Sequence, residues 1–199
     1  MESTKEGACS TSTLPDGREQ GAGVFWVFAY GSLMWRPDFP HAEIRSARLK
    51  GYHRAMCILS NHYRGTSRRP GLVLGLDRGG SCVGRAFRVE PNDVETVKRT
   101  LFEREMITGV YTPRFVPVML DDGRRVIAWA FVARRDHAQY VPPDPDRAVA
   151  LIRQGIGSAG SSRDYLACTV AEMDRLGIRD GALHRLLRRV MDEGRPPVR

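Results

Sequence analysis

A mixed α+β domain, strand-rich in its first two thirds and helical after that, is the fold class this sequence predicts. Three observations predict it. Seven mostly apolar residues run unbroken in "VFWVFAY" (Val24 to Tyr30), as a strand covered on both faces does. Further apolar segments separated by glycine-rich punctuation follow as far as Ala133. Past Asp144 the spacing becomes helical, with a capping residue at each start. A chain of 199 residues that is 42% hydrophobic suffices for one domain with an ordinary core.

Taken in order, residues 1–23 are polar, lack the apolar stretch of a secretory signal and are expected to form a disordered leader. The single domain is expected over 24–192, with 193–199 a flexible tail. After the first strand, "YHRAMCIL" and "GLVLGLD" are candidate strands. The "DRGGS" between "LGL" and "CVGRAFRV" carries the glycines of a hairpin turn. "RFVPVML", "DDG" and "RRVIAWAFV" predict a second hairpin, and Pro117 in its first arm points to an edge strand or a bulge. Pro91-Asn92-Asp93 opens a helix that runs to about Met106, and Asp144-Pro145 caps another. A third begins at Ser161-x-x-Asp164, a variant of the capping box, and stops at Gly177. The last places Leu183, Leu186, Leu187 and Val190 on one face.

Composition narrows the function. No window reaches the roughly 18 apolar residues of a membrane span. Cys9, Cys57, Cys82 and Cys168 are far apart and form no C-x-x-C pair, so neither a zinc nor a redox motif is expected. Three of them sit in apolar company and are expected to be buried, reduced thiols, as in a cytoplasmic protein. The net charge of +8 comes from arginines that are scattered and mostly alternate with acids. They form no stripe interleaved with aromatics, so a solvated surface is expected rather than a nucleic-acid interface. The five histidines show no metal-ligand spacing.

One residue breaks the helical pattern. In "PNDVETVKRTLFEREM", Val94, Val97 and Leu101 form an apolar stripe. Eleven residues after Val94, at roughly 100° each, Glu105 returns to within about 20° of it, whereas Glu103 falls opposite. A carboxylate therefore stands on the face that should be buried. It is either a frayed helix end, an ion pair with a nearby arginine, or a desolvated acid whose raised pKa suits proton transfer near neutrality. The Tyr30-Gly31-Ser32-Leu33 corner that ends the first strand has two readings as well: a tight turn, or a place where main-chain N–H groups meet an oxyanion or carboxylate.

"WVFAYGSLMWRPDFP" resembles the N-terminal signature of the ChaC-type γ-glutamylcyclotransferases. The similarity continues through "YRGTSRRPGLVLGLDRGGSCVGRAFRV", "FEREM" with Tyr111 after it, and "GIGSAGSSRDYLACTVAEMDRLGIRD", so it covers roughly residues 26–190. The resemblance implies a small mixed β-barrel flanked by helices, and conversion of glutathione to 5-oxoproline and cysteinyl-glycine. Other γ-glutamyl dipeptides or γ-glutamylamines are the alternative substrates, and a basic nucleic-acid-binding protein is the non-enzymatic alternative. The resemblance places the catalytic glutamate at Glu105 and the γ-glutamyl group against Val27, Phe28, Ala29, Tyr30, Gly31, Ser32 and Leu33. Tyr111 and Tyr165 are further substrate-binding candidates. Two departures stand out: Ala29 occupies a position where many members have glycine, and "MITGV" makes the spacing from Glu105 to Tyr111 longer than usual.

The implied chemistry fits the residues. The α-amine of the substrate attacks its own γ-carbonyl, so no Ser/His/Asp or Cys/His cluster, metal or cofactor is required. One carboxylate can take the amine's proton and return it to the leaving group, a role worth about 10²–10⁴-fold. The expected partner is the small-molecule substrate alone, with no membrane or nucleic acid, in a monomer or weak dimer. The arginines of "RGTSRRPG" (Arg64 to Gly71) are candidates for a substrate carboxylate, or form a solvated loop. "GIGSAGSS" lacks the lysine of a phosphate loop and reads as a flexible or pocket-edge loop.

Overall fold

Five strands close on themselves. The computed structural model describes residues 24–192, which leaves the expected leader, the tail and Cys9 outside the described residues. Strands β1 (Phe25–Ala29), β2 (Glu43–Ser60), β3 (Gly71–Val89), β4 (Tyr111–Leu120) and β5 (Arg125–Ala133) form a barrel in the order β1-β3-β2-β4-β5. All neighbours are antiparallel except at the seam, where β1 runs parallel to β5 through the pairs Trp26↔Ala128 and Val27↔Trp129. The expected small barrel flanked by helices is what the chain forms. All five residues of β1 are buried, as the unbroken apolar run requires.

Asp77 to Ser81 is not a hairpin turn. β3 runs straight through it, paired with β2 from Ser60↔Gly71 to Glu43↔Arg88. The glycines instead bend the ribbon: Gly79 and Gly80 have φ of 102° and 68°, opposite Gly51 at 84°, where the register shifts between Lys50 and Tyr52. Positive φ serves a bulge as readily as a reversal, and bulges give long strands the coil that barrel closure needs. The true reversal from β2 to β3 is the Asn61–Pro70 segment. The second hairpin forms as the pattern predicts. Pro117, which has no N–H to donate, stands immediately before Val118, the first β4 residue paired with β2.

Helix α1 (Val94–Glu105) follows a short turn at Pro91–Asp93 and buries Val97 and Leu101 completely. Each such side chain contributes about 1.5–3 kcal/mol. Asp144 caps α2 (Pro145–Gln154) by accepting from the N–H groups of Asp146 and Arg147. Ser161 caps α3 (Ser162–Arg175) by accepting from Asp164 N–H, and Gly177 ends it at φ 69°. Asp180 caps α4 (Gly181–Met191), which buries Leu183 and Val190 and packs Leu186 and Leu187 against the core. Cys57 and Cys82 are buried free thiols; Cys168, expected to be buried, lies exposed on α3 instead. Among the described residues no helix is long and apolar enough to cross a membrane.

Candidate active site

The chain leaves β1 at Tyr30 and Gly31 and makes one turn of 3-10 helix, Ser32–Met34. The amides of Ser32 and Leu33 open that turn, so neither has an acceptor one turn earlier. Three arginines, each from a distant part of the sequence, fix its path. Buried Arg54 donates to the carbonyls of Tyr30 and Val83 and pairs with Asp180 at 3.4 Å. Arg85 donates to the Met34 carbonyl at 3.2 Å. Arg104 donates to Ser32 Oγ at 3.0 Å, to the Arg36 carbonyl at 3.2 Å and to Asp38 at 3.0 Å.

Helix α1 delivers Glu105 as its last residue, on the side of Val97 and Leu101. The chain then loops through Met106–Val110, turning at Gly109 with φ 69°, and Arg134 fastens the loop by donating to the carbonyls of Gly109 and Val110. The loop absorbs the longer spacing of "MITGV" and returns the chain as Tyr111 at the head of β4. Tyr111 Oη donates to the Leu74 carbonyl at 2.7 Å, which ties β4 across to β3.

These elements meet at a cavity of about 50 Å³ lined by Phe28, Tyr30, Gly31, Ser32, Leu33, Leu74, Glu105, Tyr111, Phe131 and Tyr165. It shares Ser32, Glu105, Tyr111 and Tyr165 as lining with a wider cleft of about 600 Å³. Glu105 is the acid of the inner lining, and its side chain keeps 19% exposure. Burial pushes its carboxyl above the ordinary carboxylate range; the Arg104 guanidinium, 3.4 Å away, pulls it part of the way back. Burial also raises Tyr30 and Tyr111 well above their ordinary phenol value, helped by the neighbouring Glu105, and pushes Tyr165 up to about 12. All three tyrosines therefore stay neutral and can donate hydrogen bonds at physiological pH.

The structure thus brings together Glu105, Phe28, Tyr30, Gly31, Ser32, Leu33, Tyr111 and Tyr165 of the expected set. Val27 and Ala29 do not line the cavity: both are fully buried in the core, because alternate side chains of β1 point away from Phe28. That alternation was available in the sequence. Leu74, Phe131 and the clamping arginines had no local signal; strand pairing alone places them there. A Cβ on Gly31 would stand 3.6 Å from Leu74 Cδ1 and 3.9 Å from Tyr165 Oη, ordinary contact distances to two residues that line the cavity.

The rim of the wider cleft joins the two loops of uncertain role. Residues 156–161 fold as a small ribbon, β6 (Ile156–Gly157) with β7 (Gly160–Ser161). Ser158 and Ala159 N–H donate to the carbonyls of His62 and Tyr63 at 3.0 and 2.9 Å. Glycines allow this contact: a Cβ on Gly157 would fall 2.3 Å from the His62 carbonyl oxygen, and one on Gly155 2.3 Å from Gly71 Cα. "GIGSAGSS" is therefore a packing device at the pocket edge. Arg64, held by this contact, stacks its guanidinium over the Tyr165 ring at 5.3 Å and donates to the Ala159 carbonyl.

The same sequence matches the family model described as ChaC-like protein over residues 25–193. It is 38% identical to the glutathione-specific gamma-glutamylcyclotransferase of Escherichia coli (strain K12), over 83% of this chain and 72% of that one. It is 33% identical to glutathione-specific gamma-glutamylcyclotransferase 1 of Homo sapiens, over 72% and 67% respectively. A solved structure of a gamma-glutamylcyclotransferase specific to glutathione from yeast superposes with a TM-score of 0.76 at 22% identity, covering 84% of this chain and 96% of that one. That likeness extends the barrel and its helices to a protein of known structure.

Proposed function

Since this chain belongs to the ChaC-like family, we propose that it is a γ-glutamylcyclotransferase that converts glutathione to 5-oxoproline and cysteinyl-glycine. One observation carries the reading: a desolvated carboxylate, Glu105, shares a narrow cavity with the Tyr30–Leu33 turn and three neutral tyrosines. That is what an intramolecular cyclisation needs. The γ-glutamyl chain folds in the cavity so that its α-amine faces its own γ-carbonyl, and restricting it there supplies much of the acceleration. Glu105 takes a proton from the attacking amine and passes it to the departing amine of cysteinyl-glycine. Its raised pKa brings both transfers closer to thermoneutral. Tyr30, Tyr111 and Tyr165 line the γ-glutamyl chain together with Phe28, Gly31, Ser32 and Leu33, and the Ser32 and Leu33 amides serve the substrate's carboxylate or the developing oxyanion.

A monomer or weak dimer remains part of this reading. The free thiols of Cys57, Cys82 and Cys168 fit a reducing, cytoplasmic setting. Arg54, Arg85, Arg104 and Arg134 are committed to main-chain carbonyls of the fold, and the reading includes no nucleic-acid partner.

The test is 5-oxoproline release from glutathione by the purified protein and by Glu105→Gln. Turnover is expected from the first and a loss of at least about 100-fold in the second. The variant should stay folded. A carboxyl whose pKa is raised on folding stabilises the fold only while protonated, and that contribution is lost as pH rises from the ordinary carboxylate value to Glu105's own. At pH 7 the substitution therefore removes a penalty, and the melting temperature should not fall. Equal release by both proteins would remove Glu105 from the mechanism.

A further inference from the structure

We infer that Arg64 reads a free carboxylate at the end of the leaving group, so that the cleft selects γ-glutamyl peptides over γ-glutamylamines and over peptides blocked at their C-terminus. The inference rests on the cyclotransferase reading: with the γ-carbonyl at Glu105, the rest of the substrate must pass into the wider cleft, which shares Glu105, Tyr111 and Tyr165 with the inner cavity.

Among the described residues lining that cleft, the sole acid is Glu105 and the two arginines are Arg64 and Arg104. Arg104 is occupied: its nitrogens contact Ser32 Oγ, the Arg36 carbonyl, Asp38 and Glu105. Among the described residues Arg64 faces no carboxylate. Its Nη1 donates to the Ala159 carbonyl, and among the same residues Nε and Nη2 form one open edge of the fork. That edge matches a carboxylate with two parallel hydrogen bonds.

The group is also preorganised. Arg64 N–H donates to Ser60 Oγ at 2.9 Å. Its carbonyl is enclosed so closely that a Cβ on Gly71 or Gly155 would lie 2.1 or 2.6 Å from the oxygen. Its guanidinium rests on Tyr165, which itself lines the inner cavity, at 5.3 Å from the ring centre. Two extended residues span at most about 7 Å. A two-residue leaving group that starts beside Tyr165 therefore ends within reach of a cation stacked on that ring. An arginine already fixed in place gives up little side-chain entropy when it binds.

The experiment compares kcat/KM for glutathione with kcat/KM for glutathione esterified at its glycine carboxylate, in the wild type, Arg64→Gln and Arg64→Lys. Expected is a preference for the free acid of about 10-fold or more in the wild type, the range of a charge-assisted hydrogen bond. In Arg64→Gln the ratio should fall towards one, and Arg64→Lys should restore part of it. A merely structural Arg64 would leave the ratio unchanged in both variants, and that result overturns the inference. So does a wild type that treats acid and ester alike: 5-oxoproline still forms, and the cyclotransferase reading stands without the carboxylate site. Absence of 5-oxoproline from both substrates overturns both.

Discussion

Two stretches of chain border the same wide cleft and are held by opposite means. The Tyr30–Asp38 stretch is gripped by side chains: Arg54, Arg85 and Arg104 reach in and donate to its carbonyls, to Ser32 and to Asp38. The Asn61–Gly65 stretch is gripped by the lack of side chains, since Gly71, Gly155 and Gly157 let backbones touch. Arginine clamps are specific to the atoms they bond, and they carry charge to the site. Glycine clamps carry no charge and fix only the path of the chain. In keeping with this, Arg104 both clamps its stretch and pulls the raised pKa of Glu105 part of the way back, while the glycines bring no charge to the Arg64 side.

The largest effect that would break the comparison is Gly155→Ala. Its Cβ meets Gly71 Cα at 2.3 Å and the Arg64 carbonyl at 2.6 Å, with backbone on both sides that cannot swing aside. Calorimetry should show a loss of about 3 kcal/mol, roughly 6–12 °C in melting temperature. If the ribbon yields freely, the change will be near zero.

Arg54→Met comes next. It strips a donor from the buried Tyr30 carbonyl and from the half-buried Val83 carbonyl and removes the cation beside Asp180, at a cost of about 2 kcal/mol or more by denaturant unfolding. Because the freed Tyr30 carbonyl belongs to the cavity wall, kcat should fall too; unchanged kcat would show that the clamp serves stability alone.

These clamps also mark the limit of what the sequence revealed. The β1 run, the α1 stripe with Glu105 on it, the caps at Asp144 and Ser161 and the second hairpin are each written as a pattern within a short stretch of sequence, so local reading exposed them. Arg54 reaches its partners across separations of 24, 29 and 126 residues, and no local pattern encodes that. The same holds for Leu74 and Phe131. Gly79 and Gly80 failed differently: positive φ was legible, but bend and reversal make the same demand on it. At Val27 and Ala29 a family motif marks a continuous segment, whereas a strand offers the cavity only every second side chain.

A smaller effect sharpens the contrast at Gly31. Its Cβ would touch only Leu74 and Tyr165, so Gly31→Ala should fold normally and raise KM by about tenfold through lost space. Steady-state kinetics beside a melting curve would decide it; a drop in stability with unchanged KM would place this glycine with the packing ones.

The smallest expected effect is that of Arg104→Gln on pH dependence. Removing the cation that holds Glu105 down lets its pKa rise further, so the acid limb of kcat/KM should move to higher pH. A limb that stays put would mean that Glu105 does not govern it.

The cavity draws its walls from Phe28 at one end of the described chain to Tyr165 near the other, and the barrel closes by pairing its first strand with its last. On the ribosome, β1 therefore waits for about a hundred further residues before β5 exists. At 5–20 residues per second that delay is roughly 5–20 s, and Tyr165 follows later still. A nascent or stalled chain thus holds every residue of the Tyr30–Leu33 turn and yet has no enclosed site until Tyr165 has been added.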